Sequence, residues 1–291
     1  PTSGSDVLTE PLHTTREMGI KINPYNFCVA NKTINGKQCT IMWHVDDLKV
    51  SHLDPKVVTA VLEFLDARYG QGIVGGKRAP VTINRGKIHD YLGMTLDYSE
   101  AGSVKLDMTD YVAKVLDEMP EDMDGTATTP AANYLFQIID GIECLDEATS
   151  EFFHATVAKL LFLCKRGRPD TQTAIAFLCT RVQQPTKHDY NKLMRVIKYL
   201  RTTRKLVLCL SADNLNIIKW WIDASYGVHH DMRSHIGGTM SMGTAAVYST
   251  SHRQKLNTKS STEAELVGSD NVLPQALWTK YFMEAQGYGV T

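Results

Sequence analysis

Trp43-His44-Val45-Asp46-Asp47-Leu48 puts two adjacent carboxylates at the end of one apolar run, and a second run, Leu48-Lys49-Val50-Ser51, follows at once. Cys39 to Val45 is rich in β-branched and aromatic residues and reads as a strand. A hairpin with Asp46 and Asp47 at its tip would expose both carboxylates between two buried strands. Like charges that close raise each other's pKa, and a divalent cation resolves the conflict. Asp is also common in turns, so an ordinary polar hairpin is the plain alternative.

A second pair of carboxylates lies far along the chain. Ile217-Ile218-Lys219-Trp220-Trp221-Ile222 reads as a strand that runs into Asp223, and Ser260-Ser261-Thr262-Glu263-Ala264-Glu265 opens a helix. Glu263 stands three residues after Ser260, the spacing of a capping box, and Glu265 stands three after Thr262. A helix packed across the sheet could aim Glu265 at Asp223, and an Asp with a Glu suits Mg²⁺, which takes oxygen donors. Asp270 projects roughly opposite Glu265 on that helix and is a poor co-ligand. His229-His230-Asp231 reads as a solvent loop, since neighbouring residues rarely converge on one ion.

The elements that must position these groups follow from periodicity. Asp54-Pro55 caps a helix with Val57, Val58, Val61, Leu62 and Leu65 at helical spacing up to Gly70. A Gly-rich connector holds Gly70, Gly72, Gly75 and Gly76, and residues 87–98 read as one strand. A helix is predicted over 109–119, a linker over 120–133, and three helices over 151–165, 170–182 and 187–203. In the last, Leu193, Val196, Ile197 and Leu200 mark the buried stripe, while Lys192, Arg195, Lys198 and Arg201 fall mainly outside it and could track a phosphate backbone. Strands are predicted over 207–210, 217–222, 238–242 and 245–249, then a helix from about Ser261 that Pro274 should kink or restart.

The bulk numbers are those of a globular chain: 291 residues, 43% hydrophobic, 22% charged and a net charge of −1. No apolar run is long enough to span a membrane, and no secretory leader opens the chain, so membrane insertion and export are not expected. Six scattered cysteines without a C-x-x-C pair argue for buried, reduced thiols rather than a disulfide framework or a zinc knuckle. Acids dominate between Asp90 and Glu147, and bases between Lys159 and Lys205, which hints at a surface facing a polyanion.

The order of motifs carries more than any one of them. Asn23-Pro24-Tyr25 and Cys28-Val29-Ala30 precede the His-Val-Asp-Asp hairpin. Tyr91-Leu92-Gly93-Met94, Thr128-Thr129-Pro130-Ala131, Arg168-Pro169-Asp170 and Ile197-Lys198-Tyr199-Leu200 follow, then Asp223-Ala224-Ser225 and the Ser260 to Glu265 run. From about Gly19 to Gly289 the series resembles the polyprotein of copia-type (Pseudoviridae) LTR retrotransposons, from mid reverse transcriptase into ribonuclease H.

That resemblance implies an α+β chain in four parts: an unmatched 1–17, the C-terminal half of a polymerase palm and thumb-like region over 18–130, a helical connection over 131–207, and a truncated ribonuclease H-like α/β domain over 208–291. It implies that Asp46 and Asp47 are two of the three polymerase aspartates, with His44 near the primer terminus. Tyr91-Leu92-Gly93 corresponds to the strands that help hold the primer, and Asp223 and Glu265 to the first two ribonuclease H carboxylates. The implied cofactor is Mg²⁺, with Mn²⁺ as a substitute. The implied partners are an RNA template, a DNA primer, an RNA–DNA hybrid, dNTPs and other polyprotein segments, in the cytoplasm within a virus-like particle or in the nucleus. The remaining carboxylates are expected outside these residues, so the chain is expected to be inactive alone. The alternatives are a non-catalytic nucleic-acid-binding remnant, or an unstable pseudogene product with unpaired strand edges.

Overall fold

The computed structural model describes residues 17–45, 47–74, 77–120 and 124–290, which fall into two units: those up to Gly86 with those from Leu277 on, and those between Lys87 and Ala276. In the first unit, β1 (Lys21–Asn23), β2 (Asn26–Ile34), β3 (Lys37–His44) and β4 (Asp47–Ser51) form an antiparallel meander in sequence order. Asn35 and Gly36, at φ 52° and 72°, make the β2–β3 turn, the left-handed pair that suits a two-residue hairpin. Helix α1 (Pro55–Tyr69) starts as expected: the Asp54 side chain accepts from Lys56 N–H at 2.9 Å, with Pro55 in the first turn. Val57, Val61 and Leu65 pack on Cys39, Ile41 and Trp43, the alternate residues of β3.

The other face of that meander is polar. Asn31 Oδ1 accepts from Gln38 Nε2 (2.9 Å) and Thr40 Oγ1 (2.8 Å), while Asn31 Nδ2 donates to Gln286. Trp278 Nε1 donates to the Tyr25 carbonyl at 3.0 Å, and the Tyr25 and Tyr281 rings stack. The Gly-rich stretch is not only a connector, because β5 (Gly72–Val74) pairs with β6 (Lys77–Ala79).

The second unit holds two sheets and a helical core. β7 (Ile88–Tyr91), β8 (Met94–Asp97), β9 (Ser103–Asp107), β10 (Leu208–Ala212) and β13 (Gly243–Thr244) form one sheet in the order β13-β10-β9-β8-β7. The single strand expected over 87–98 is thus a hairpin, turned at Leu92 and Gly93, with φ 51° and 74°. β9 has no counterpart in the sequence reading, although Ser103-Val104-Lys105-Leu106 alternates as a strand does. Helix α2 (Thr109–Asp117) packs with α3 (Glu147–Cys164), α4 (Gln172–Cys179, after a 3₁₀ turn at Pro169–Thr171) and α5 (Lys187–Thr202) around Phe153, Leu160, Ile175 and Phe177. Leu193, Val196, Ile197 and Leu200 are all fully buried, so the α5 stripe is placed as its spacing indicates.

The second sheet, β11-β12-β14, comprises β11 (Lys219–Ser225), β12 (His235–Ser241) and β14 (Tyr248–Arg253). Helix α6 (Ser261–Ala285) runs on past Pro274 as one element rather than restarting. Every strand pairing among the described residues is antiparallel, and with the helical layer this makes an α+β architecture. Cys39 and Cys164 are buried as expected, and burial pushes the Cys164 thiol up to about 12. Cys144 and Cys209 are exposed instead.

Candidate active site

The carboxylate hairpin is present in outline. Trp43 is 4% exposed on the α1 face of β3, whereas His44 and Asp47 pair across the hairpin and both face solvent. Val45 lies at φ 52°, a left-handed conformation that a β-branched residue adopts only under strain. Asp46 lies outside the described residues, so the structure places one of the two expected carboxylates.

The second constellation is resolved more fully. Glu263 explains itself as a cap: Ser260 Oγ accepts from Glu263 N–H at 3.1 Å, and Glu263 Oε2 accepts from Lys259 N–H at 2.6 Å. Glu265 does not cap. Its Oε1 accepts from Ala224 N–H at 3.2 Å, beside Asp223. This contact is open because β11 ends its sheet and its outer backbone groups have no strand partner among the described residues. Gln254 Nε2 fixes the turn that carries Glu265, donating to Ala264 O at 2.7 Å.

Asp223 leaves the strand on the opposite face. A Cβ added at Gly268 of α6 would lie 3.6 Å from Ala224 Cβ and 3.7 Å from Ile222 Cγ2, so α6 covers the Ile222–Ala224 side. Alternation then turns Trp221 and Asp223 outward. There they line a cavity of about 650 Å³ with Gln172, Thr173, Gly237 and Ser251. Helix and strand thus bring two carboxylates to one strand end, one at its free edge and one on its open face. Among the described residues no cationic side chain pairs with either, and no group of three or more His, Cys, Asp and Glu could hold a metal. Carboxylate oxygens are donors of the type that Mg²⁺ takes, beside waters and a substrate's phosphates.

Comparison with known proteins gives a consistent kinship. A putative transposon Ty5-1 protein of Saccharomyces cerevisiae is 28% identical over 228 residues, 77% of this chain and 69% of its own length. The retrovirus-related Pol polyprotein from transposon TNT 1-94 of Nicotiana tabacum is 26% identical over 136 residues, 46% of this chain. The corresponding polyprotein from transposon RE1 of Arabidopsis thaliana is 23% identical over 250 residues, 85% of this chain. The chain is a relative of copia-type retrotransposon polyproteins. It spans only 10% and 16% of the lengths of those two Pol polyproteins. No family model matches the chain, and no solved structure matches it.

The basic face expected on α5 differs at Lys192. Lys192 is 4% exposed and is not on the surface: its Nζ donates to Gln137 O at 2.6 Å and lies 4.5 Å from the centre of the Phe177 ring. Burial lowers its pKa to about 8, against the opposing pull of Asp189. Arg195 donates to Thr129 Oγ1 at 2.9 Å and Arg201 to Gly125 O, so both hold the 125–129 segment against α5. Lys198 forms no ion pair among the described residues, and it is half-buried.

Two groupings escaped the sequence reading. His229, expected in a solvent loop, is 7% exposed, and its Nε2 lies 3.0 Å from Nδ1 of buried His235. His235 Nε2 lies 2.7 Å from Ser251 Oγ, and the rings of Phe136 and Phe177 pack around the pair. Only the apolar spacing of β12, where His235 and Ile236 begin a mostly buried strand, hints at this burial. The second is a knot of Asp170, Tyr199 and Thr203 around the buried Arg168 guanidinium. No helix among the described residues is long and apolar enough to cross a membrane.

Proposed function

We propose that this chain is the part of a retrotransposon polyprotein that carries half of a polymerase palm, a helical connection and a ribonuclease H-like domain. Kinship with the transposon Pol polyproteins supports the class of reaction, phosphoryl transfer on RNA templates and RNA–DNA hybrids. The observation that carries the reading is the approach of Glu265 to Ala224 N–H, beside Asp223, from a helix packed on the opposite face. Asp223 and Glu265 come to one strand end from elements 42 residues apart in sequence.

In this reading Asp223 and Glu265 hold Mg²⁺ for hybrid cleavage, and Asp46 and Asp47 hold it for primer extension. Bound Mg²⁺ supplies a polarised phosphoryl oxygen and a nucleophile ionised near neutral pH. The residues themselves do the positioning. Glu265 is anchored by the Ala224 amide, and Asp223 is offered to the open face of β11. At the hairpin, the β3–β4 ladder holds Asp47 opposite His44. Two carboxylates per site leave a metal cluster incomplete, and groups that act as a unit lose several orders of magnitude when one is missing. The chain alone therefore binds nucleic acid without turning it over, in the cytoplasm or the nucleus.

The test uses the chain and a longer polyprotein that contains it. The chain alone should give neither Mg²⁺-dependent primer extension on RNA nor hybrid cleavage. In the polyprotein, Asp223→Asn should abolish cleavage and spare extension, and Asp47→Asn should do the reverse. Robust turnover by the isolated chain would overturn its incompetence. Cleavage that survives Asp223→Asn would overturn the site.

A further inference from the structure

The groove beside Asp223 is shaped by more than its carboxylate. Helix α4 is pinned over β14, where Gln172 Nε2 donates to Ser249 O at 3.0 Å and Ser251 Oγ donates to Thr173 Oγ1 at 3.1 Å. The outward sides of β11 and β12 beyond it stay open. Trp221 stands there 55% exposed, on the same face as Asp223 and two residues before it. Along a strand that spacing is about 6.6–6.8 Å. Across the ladder, Asp223 pairs with Gly237, and a Cβ placed on Gly237 would meet nothing within 4 Å. Gly237 has no left-handed backbone that would call for glycine. A glycine inside a strand weakens it, and where packing gives no reason for it, it marks a site of close approach to the backbone. Beside it, Lys165 Nζ donates to Ser249 O at 3.4 Å.

We propose that Trp221 and the bare backbone at Gly237 form a seat for one nucleotide of the strand presented to Asp223. The indole face takes the base or sugar, and Gly237 lets the sugar–phosphate chain lie against β12. The hydroxyls of Ser251 and Thr173 face its polar edge. An exposed aromatic face is the sequence-tolerant way to hold a nucleotide. Hydroxyl groups match the 2′-hydroxyl that tells RNA from DNA. Trp221 and Gly237 act here as positioning residues. The proposal rests on the reading of Asp223 and Glu265 as a hybrid-cleaving pair.

The experiment needs no metal and no turnover. A labelled 12-base-pair RNA–DNA hybrid is titrated with the full chain in EDTA at low salt, reading hybrid anisotropy and tryptophan emission together. The parent should bind with partial quenching, and the quenched component should vanish in Trp221→Phe. Trp221→Ala and Gly237→Val should each weaken binding about fivefold or more, the low end for loss of one stacking contact. Gly237→Val should keep or raise the thermal midpoint, because valine suits a strand and meets open space. Parent-like binding by both variants, with unquenched Trp221, would overturn the seat and leave the hybrid-cleaving reading standing. No binding by the parent would overturn that reading, and the seat with it.

Discussion

Tyr199 Oη donates to Asp170 Oδ2 at 2.7 Å, joining two sequence motifs 29 residues apart. Arg168, itself 2% exposed, grips both carboxylate oxygens of Asp170 and also donates to Thr203 O (3.1 Å) and Oγ1 (2.7 Å). Burial alone would raise the Asp170 pKa, but hydrogen bonds from Arg168 and Tyr199 and the Arg168 charge outweigh it and hold the carboxyl below its usual range. A depressed carboxyl pKa adds stability that is present above about pH 4 and lost as pH falls through the folded value. Asp170→Asn should therefore cost on the order of 2–3 kcal/mol at pH 7, because it strands a buried guanidinium. The cost stays below that of a fully buried pair, since the Asp170 side chain is 35% exposed. Tyr199→Phe should cost about 1 kcal/mol. Urea titrations at pH 7 and pH 4 check both, and an unchanged midpoint for Asp170→Asn at pH 7 contradicts the account.

The His229–His235 pair makes a different demand on pH. Burial, then the neighbouring His229 and His252, depress His235 to about 4, so it folds neutral. The unfolded chain takes up its proton near pH 6.5 and the folded chain does not, so stability falls as pH drops from about 6.5 to about 4. The full difference is on the order of 3 kcal/mol. His235→Gln, which can still bond Ser251, should flatten the midpoint-against-pH curve across that window. A curve as steep as the parent's would place the titration elsewhere.

Lys192 and Lys198 separate burial from charge. Lys192→Met should leave hybrid binding unchanged, because the ammonium is turned inward to Gln137. It should also remove a rise in stability between about pH 8 and pH 10.5, where the unfolded lysine still holds a proton that the folded one has released. Lys198→Glu should weaken hybrid binding and lower its salt slope by about one. Equal losses of binding from both changes would restore Lys192 to the surface.

Much of this was open to sequence reasoning, for reasons of local chemistry. The α1 cap at Asp54-Pro55 and the α5 stripe depend on neighbours within a turn or two, and both appear where spacing puts them. The β7–β8 hairpin was missed because Leu92, a residue that rarely takes positive φ, shares the turn with Gly93. Lys192 was misplaced because helical spacing gives a side chain's direction but not the carbonyl that waits for it 55 residues earlier. Glu263 and Glu265 were both compatible with capping. Only the free edge of β11, a property of sheet order, assigns Glu265 to Ala224. Burial of His229 depends likewise on Phe136, from a segment that looked like connection.

Strain at the hairpin supplies the last test. Val45 is 60% exposed at φ 52°, so nothing it packs against rewards the conformation, and a left-handed β-branched residue costs about 1–2 kcal/mol. Such strain persists where the surrounding structure dictates it, here the two-residue connection between His44 and Asp47. Val45→Asn, which tolerates left-handed backbone, should raise the stability of the chain by about 1 kcal/mol, and Val45→Gly by less, because glycine also frees the unfolded state. Thermal melts of the two variants decide it: a midpoint at or below the parent's in both removes the strain. If the hairpin is the polymerase site, the relaxed Val45→Asn loop should slow primer extension in the longer polyprotein while the chain melts higher, since the turn that sets Asp47 would no longer be held in one shape.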